Sequence, residues 1–122
     1  MKIADFGLSR IPKPKSKELT VKIVTLLYRS PELLLGDKNY SSKVDIWSAG
    51  CIFAELLLGE PFFAAAKGAD HLMDLICTRL GTPNDEDWPE MKDMPYYKHF
   101  AQRRRKMQET NLNNYFFKRK PK

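Results

Sequence analysis

Apolar positions are densest between Ser41 and Gly59, where Val44, Ile46, Trp47, Ala49, Cys51, Ile52, Phe53, Ala54, Leu56, Leu57 and Leu58 fall on every side of a helical wheel. Ser42, with Asp45 three residues on, has the form of a capped start, and Gly59 is the usual stop. The stretch therefore predicts one helix of about five turns. A helix apolar all round needs cover on every side, which places it inside a larger body. Asp45, Ser48 and Glu55 interrupt the run, so too few consecutive apolar residues remain to cross a bilayer.

The flanking pattern is more ordinary. Residues 1–4 read as the end of a strand, Asp5-Phe6-Gly7 as a turn, and Ser9 to Lys22, with two prolines and five basic residues, as a loop. Ile23 to Tyr28 is β-branched and compact enough to be extended, and Ser30-Pro31-Glu32 sets Pro at the first turn of a short helix that ends by Gly36. Pro61 breaks the chain after the long helix. Leu72, Leu75, Ile76, Arg79 and Leu80 recur at helical spacing, predicting an amphipathic helix over 69–80 stopped by Gly81-Thr82-Pro83. Asn84 to Tyr97 reads as an ordered loop, and beyond it the periodicity fades.

Length and charge narrow the picture. At 122 residues one small core is the limit, burying roughly two thirds of the surface the unfolded chain exposes. The net charge of +6 is uneven, because Lys98 to Lys122 hold nine Lys or Arg against one Glu, leaving the rest slightly acidic. Arg103-Arg104-Arg105-Lys106 and Lys118-Arg119-Lys120, interleaved with Tyr115, Phe116 and Phe117, raise a nucleic-acid patch against the plainer reading of a solvated tail. Cys51 and Cys77 sit in apolar helical patterns without metal-ligand spacing and read as reduced, buried thiols. Asp5 follows Met1-Lys2-Ile3 too closely for a signal peptide, so cytosol or nucleus is expected.

The chemistry lies in an ordered set of short motifs. Asp5-Phe6-Gly7 alone is weak, but it is followed by Leu8-Ser9-Arg10, Val24-Thr25, Tyr28-Arg29-Ser30-Pro31-Glu32, Val44-Asp45-Ile46-Trp47-Ser48-Ala49-Gly50-Cys51 and Leu80-Gly81-Thr82-Pro83 with Trp88-Pro89. Together they resemble the carboxyl lobe of eukaryotic Ser/Thr protein kinases and, within these, the cyclin-dependent kinases. The resemblance covers about residues 2–98 and implies a mainly α fold, a partial kinase-like C-terminal lobe of activation segment plus helices with the N-lobe absent. The expected organisation is a partial kinase domain over 1–98 and a basic tail over 99–122.

The resemblance also implies roles. Asp5 would be the carboxylate holding Mg2+ against the phosphates of ATP, since a hard cation takes oxygen ligands, and Gly7 would let the backbone turn there. Thr20 would be the activating phosphorylation site and Arg10 its phosphate partner, in a loop whose net positive charge a phosphate relieves. Ile23, Val24 and Arg29 would form the pocket for the residue after the phosphorylated Ser or Thr, favouring proline because it lacks an N–H. Thr25 would hydrogen-bond the catalytic machinery. Asp45 would accept backbone N–H groups of a catalytic loop, with first-turn dipole complementarity as the plainer alternative. Glu32 and Trp47 are structural positions, and the relatives pair the glutamate with a distant arginine.

Several family parts have no counterpart in these 122 residues: no Gly-x-Gly-x-x-Gly loop, no Val-Ala-Ile-Lys strand, no His-Arg-Asp loop. Leu27 stands where Trp is usual, Ser30 where Ala or Pro is usual, and Ala64 to Gly68 replace a Pro-Gly turn. The expectation is a piece of a kinase that in full transfers the ATP γ-phosphoryl group to Ser-Pro or Thr-Pro sites with Mg2+ as cofactor and a cyclin as activator, the piece itself being inactive. Membrane and nucleic acid are not expected partners. The alternatives from other classes are a non-catalytic kinase-like binding module and a basic nucleic-acid-binding fragment.

Overall fold

The computed structural model describes residues 2–9 and 25–104. Four α-helices carry the fold: α1 Pro31–Leu34, α2 Lys43–Leu58, α3 Ala69–Leu80 and α4 Tyr97–Arg104. Three 3-10 turns, Phe6–Leu8, Leu26–Tyr28 and Pro89–Asp93, join them. No strand occurs among the described residues. The strand expected over 1–4 is therefore irregular backbone at residues 2–4, and Leu26–Tyr28 is a tight turn instead of an extended segment. Its closure is local, with the Tyr28 N–H bonding Thr25 O at 3.1 Å and the Arg29 N–H bonding Leu26 O at 3.1 Å.

The predicted punctuation mostly holds. Pro31 opens α1, where its missing N–H is no loss. Gly59 ends α2 in the left-handed region at φ 74° and its N–H reaches Glu55 O at 2.8 Å, a conformation that a Cβ disfavours. Gly81 ends α3 at φ 98°. Ser42 departs from expectation: its backbone is already helical and its side chain caps nothing, while the neighbouring Ser41 Oγ accepts the Lys43 N–H at 3.3 Å. A capping hydroxyl needs an extended backbone to aim back at the free N–H groups, and that geometry is missing at Ser42.

The core gathers around α3. Leu72, Met73, Ile76 and Cys77 are buried on its inner face, and Leu35 of the α1 turn, Phe63 after α2, Met91 of the last 3-10 turn and Phe100 of α4 close over them. Helix α2 behaves differently. It buries only Val44 and Cys51 among its sixteen residues, and Ile46, Phe53, Leu56 and Leu57 are 74%, 64%, 67% and 66% exposed. The all-round cover that its composition demands is absent on one side among the described residues.

The segment over 84–97 is ordered, as expected, by its own hydrogen bonds. Asn84 Oδ1 accepts the N–H groups of Glu86 at 2.8 Å and Asp87 at 2.7 Å, and the Tyr96 N–H bonds Leu35 O at 3.0 Å. Gly36, at φ 84°, lets the Tyr96 ring pass where a side chain would stand, a Cβ there falling 2.8 Å from the ring. Helix α4 was not apparent in the pattern, and the boundary expected after residue 98 falls inside it. Phe100 is its one fully buried side chain, with Tyr97 half-buried against the same core.

Candidate functional site

Asp5 has φ 61° and ψ 75°, the one left-handed non-glycine residue among those described. Its Oδ1 accepts the Gly7 N–H at 3.3 Å, and the chain then closes the turn Phe6–Leu8, with Ser9 donating to Phe6 O through its N–H and its hydroxyl. Asp tolerates this region because its short carboxylate bonds the local backbone. The turn's unusual backbone angle thus belongs to Asp5. Gly7 matters for room, since a Cβ there would lie 3.3 Å from Asp5 Oδ1. The carboxylate and its neighbours Ile3, Phe6 and Leu8 are exposed.

No cluster of three metal-ligating side chains occurs among the described residues. A Mg2+ is commonly held by one or two carboxylates with phosphate oxygens completing its shell, and the exposed Asp5 carboxylate is of the type such a role needs. Asp5 is the residue that would hold the ion, whose chemistry when bound is to neutralise phosphate charge.

The second part of the site is the turn Leu26–Tyr28 and its fastening to α2. The Tyr28 hydroxyl donates to Glu55 Oε2 at 2.8 Å across 27 residues of chain. Ser48 Oγ lies 3.0 Å from Tyr28 O and 3.1 Å from Val44 O and shares its proton between them. The hydrogen bond to Glu55, then burial, then the Glu55 charge push the Tyr28 phenol above its ordinary value. Thr25 stands exposed at the head of this turn, and Arg29, half-buried, leaves it toward α1. Arg10, Thr20, Ile23 and Val24 lie outside the described residues.

Ser30 caps α1 through its backbone only. It is 1% exposed, and its hydroxyl has no hydrogen-bond partner among the described residues. Glu32 follows in the first turn of α1, half-buried, facing an open apolar groove along α2. Asp45 is exposed in the first turn of α2, where its charge complements the helix dipole. The Trp47 ring lies parallel to Phe63 with centroids 6.5 Å apart, and its buried Nε1 finds no acceptor among the described residues.

Part of the basic end is not a free solvated surface. Arg103 pairs with Asp70 at 2.8 Å and with Asp74, tying α4 to α3, while His99 Nε2 is 3.0 Å from Asp70. Arg104 pairs with Asp85 at 3.0 Å and also donates to Pro83 O at 3.3 Å. The hydrogen bond from Arg104 holds the Asp85 carboxyl below its usual range. These two arginines are engaged by acids of their own chain.

Tyr28, Ser48 and Glu55 escaped the sequence reading. The available signal was Glu55, the one charged residue between Ile46 and Leu58. An acid isolated in so apolar a run asks for a donor.

The chain matches the family model "Protein kinase domain" over residues 1–119. It is 47% identical over 101 residues to "Cyclin-dependent kinase 7" of Dictyostelium discoideum, covering 83% of this chain and 28% of that protein. Against "CTD kinase subunit alpha" of Schizosaccharomyces pombe it is 47% identical over 100 residues, covering 80% and 16%. With "Cell division control protein 2 homolog 1" of Trypanosoma brucei brucei it shares 48% over 95 residues, covering 78% and 31%. The yeast RNA Pol II CTD kinase CTDK-1 complex contains a chain that superposes with a TM-score of 0.84 at 32% identity, covering 98% of this chain and 39% of that one. The CAK complex of Chaetomium thermophilum bound to ATP-gamma-S contains one at a TM-score of 0.71 and 41% identity, covering 77% and 29%. The chain therefore spans less than a third of the length of these sequence relatives. With its turn at Asp5, its segment from Thr25 to Glu32 and its long helix α2 in family order, this chain belongs to the eukaryotic protein kinases, in the cyclin-dependent kinase family.

Proposed function

We propose that this chain forms the substrate-side portion of a cyclin-dependent Ser/Thr kinase that transfers the γ-phosphoryl group of ATP to Ser-Pro or Thr-Pro sites. Asp5 supplies one carboxylate to Mg2+, Thr20 takes the activating phosphate with Arg10 as its partner, and Ile23, Val24 and Arg29 shape the pocket that favours proline. Thr25 bonds the catalytic loop. A cyclin is the activating partner, and the nucleus or cytoplasm is the place of action.

The observation that supports this most is the fastening of Leu26–Tyr28 to α2 through Tyr28, Glu55 and Ser48. A pocket that discriminates proline from other residues must hold its backbone in fixed register, and a turn anchored at both its phenol and its carbonyl meets that need. The general base and the phosphate-binding lysine have no counterpart in the 122 residues, so transfer requires groups from outside them.

Replacing the matching segment of the Dictyostelium relative with residues 2–98 of this chain tests the reading. With cyclin, Mg2+ and ATP, the chimera is expected to phosphorylate a Ser-Pro peptide and to discriminate against its Ser-Ala counterpart. The 122-residue chain alone is expected to transfer nothing. A folded chimera that treats both peptides alike refutes the proline pocket, and transfer by the bare chain refutes the division of labour.

A further inference from the structure

From Ser30 to Asp37 the chain is one hydrogen-bonded unit. The carbonyls of Ser30, Pro31, Glu32 and Leu33 accept the N–H groups of Leu34 at 3.1 Å, Leu35 at 2.9 Å, Asp37 at 2.9 Å and Gly36 at 3.2 Å. A displacement of Leu35 or Gly36 is therefore passed to Ser30, and to Arg29 beside it. On its other side Arg29 meets the turn Leu26–Tyr28, closed by the Arg29 N–H on Leu26 O at 3.1 Å and fastened to α2 through Tyr28. The position of Arg29 is thus set from two directions, by α2 before it and by α1 after it.

A single helical turn does not hold itself, since its few bonds do not offset the cost of nucleation. Leu33, Leu34 and Leu35 are all buried and keep α1 in the core. Such burial is non-directional, so it fixes how deep the turn sits and not how far it slides along its axis. Direction comes from Tyr96. Its N–H bonds Leu35 O at 3.0 Å, a carbonyl just past the α1 ladder, and its ring lies against Gly36, where a Cβ would fall 2.8 Å from Cε2 and 2.9 Å from Cδ2. Tyr96 is 58% exposed, so its ring adds little to the core. Its own place is secured from the far side, where the Phe100 N–H bonds Tyr96 O at 3.1 Å and the Tyr97 hydroxyl bonds Asp85 at 3.1 Å. Leu34, Leu35, Tyr96, Phe100 and Arg103 border a cavity of about 20 Å3, room for about one water and little room for α1 to shift.

We propose, resting on the reading of Arg29 as part of the proline pocket, that Tyr96 is a positioning residue for that pocket. Its N–H and its ring clip the end of α1, and α1 carries that register back to Arg29.

The chimera carrying residues 2–98, with cyclin, Mg2+ and ATP, tests this. Tyr96→Ala is expected to reduce the preference for a Ser-Pro over a Ser-Ala peptide, read as the ratio of their kcat/KM values, on the order of tenfold, with the KM for ATP unchanged. Tyr96→Phe keeps both the ring and the N–H and should restore the ratio. A merely structural loss would lower turnover of both peptides together and leave the ratio alone. In the 122-residue chain, Tyr96→Ala should speed amide exchange at Leu34, Leu35, Gly36 and Asp37 while Ile76 and Cys77 in α3 keep their protection. A chimera that prefers proline and keeps the full preference in Tyr96→Ala would overturn the positioning role and leave the kinase reading intact. Unchanged exchange at Leu34 to Asp37 would overturn it as well. A parent chimera blind to proline would instead overturn the pocket on which the role depends.

Discussion

Helices α2 and α3 are both rich in apolar side chains, α2 the richer, and use them in opposite ways. Helix α3 gathers most of them on one face, where Leu72 and Cys77 reach 0% exposure and Met73 and Ile76 stay at 5% or below. Asp70 and Asp74 on its other side pair with α4. Helix α2 spreads them all round and leaves Ile46, Phe53, Leu56 and Leu57 mostly bare. Total apolarity states how much surface wants cover. Only its confinement to a face states where that cover comes from within the chain.

The largest test of this contrast is a pair of truncations. Leu72→Ala opens a cavity in a closed core and should cost about 2–5 kcal/mol, while Leu57→Ala, already largely hydrated, should stay within about 0.5 kcal/mol. Urea unfolding of both variants measures the difference. Similar losses would mean that α2 is as well covered as α3, and the comparison would fail.

Next in size is the link that α2 does make. Tyr28→Phe removes the donor to Glu55 and leaves a half-buried carboxylate short of a partner, at a cost of about 1–2 kcal/mol. Amide exchange should quicken at Tyr28 and Arg29, whose N–H groups close the 3-10 turn, more than within α3. Uniform quickening across the molecule would show that the turn is held by the general core and not by this bond.

What could be read in advance follows the same division. The bounds of α3, the stops at Gly59 and Gly81 and the proline start of α1 were legible because each rests on a local rule: a repeat of 3.6, a positive φ, a missing N–H. Helix α4 was not, because only Phe100 and, in part, Tyr97 dock it, and Arg103 and Arg104 find their acids on α3 and on the segment after it, distant in sequence. The bond between Tyr28 and Glu55 spans 27 residues and has no local signature beyond an acid among apolar neighbours. At the candidate site, the motif order singled out Asp5 and the segment from Thr25 to Glu32 for attention. That Asp5, and not Gly7, takes the left-handed backbone needed coordinates.

A smaller effect sharpens the account of α1, which packs on the α3 side. Ser30 is buried, and among the described residues nothing bonds its hydroxyl. Ser30→Ala should stabilise the chain by about 1 kcal/mol, since burying an unpaired hydroxyl costs on that order. Loss of stability instead would reveal a partner for the hydroxyl, and amide exchange in α1 would show where it lies.

The smallest expected effect concerns acid. The α3 side of the molecule is laced with carboxylates paired to α4 and its approach, whereas α2 makes its chief polar link through a phenol. Asp85 accepts hydrogen bonds from Arg104 at 3.0 Å and from the Tyr97 hydroxyl at 3.1 Å, with Lys92 at 3.6 Å. Its carboxyl is lowered in the folded chain, the Arg104 hydrogen bond being the main cause. A lowered folded value means that the unfolded chain binds the proton more readily. The contribution is therefore complete above the ordinary carboxylate pKa and disappears as pH falls through the folded value. Wild type should melt slightly above Asp85→Asn at neutral pH, with the gap steady down to about pH 5 and closing below about pH 4. The group is well hydrated, so the gap is small and salt should narrow it. A gap that widens in acid would reverse the sign, and would mean that Asp85 is held as the protonated acid against α4 and not as a carboxylate facing Arg104.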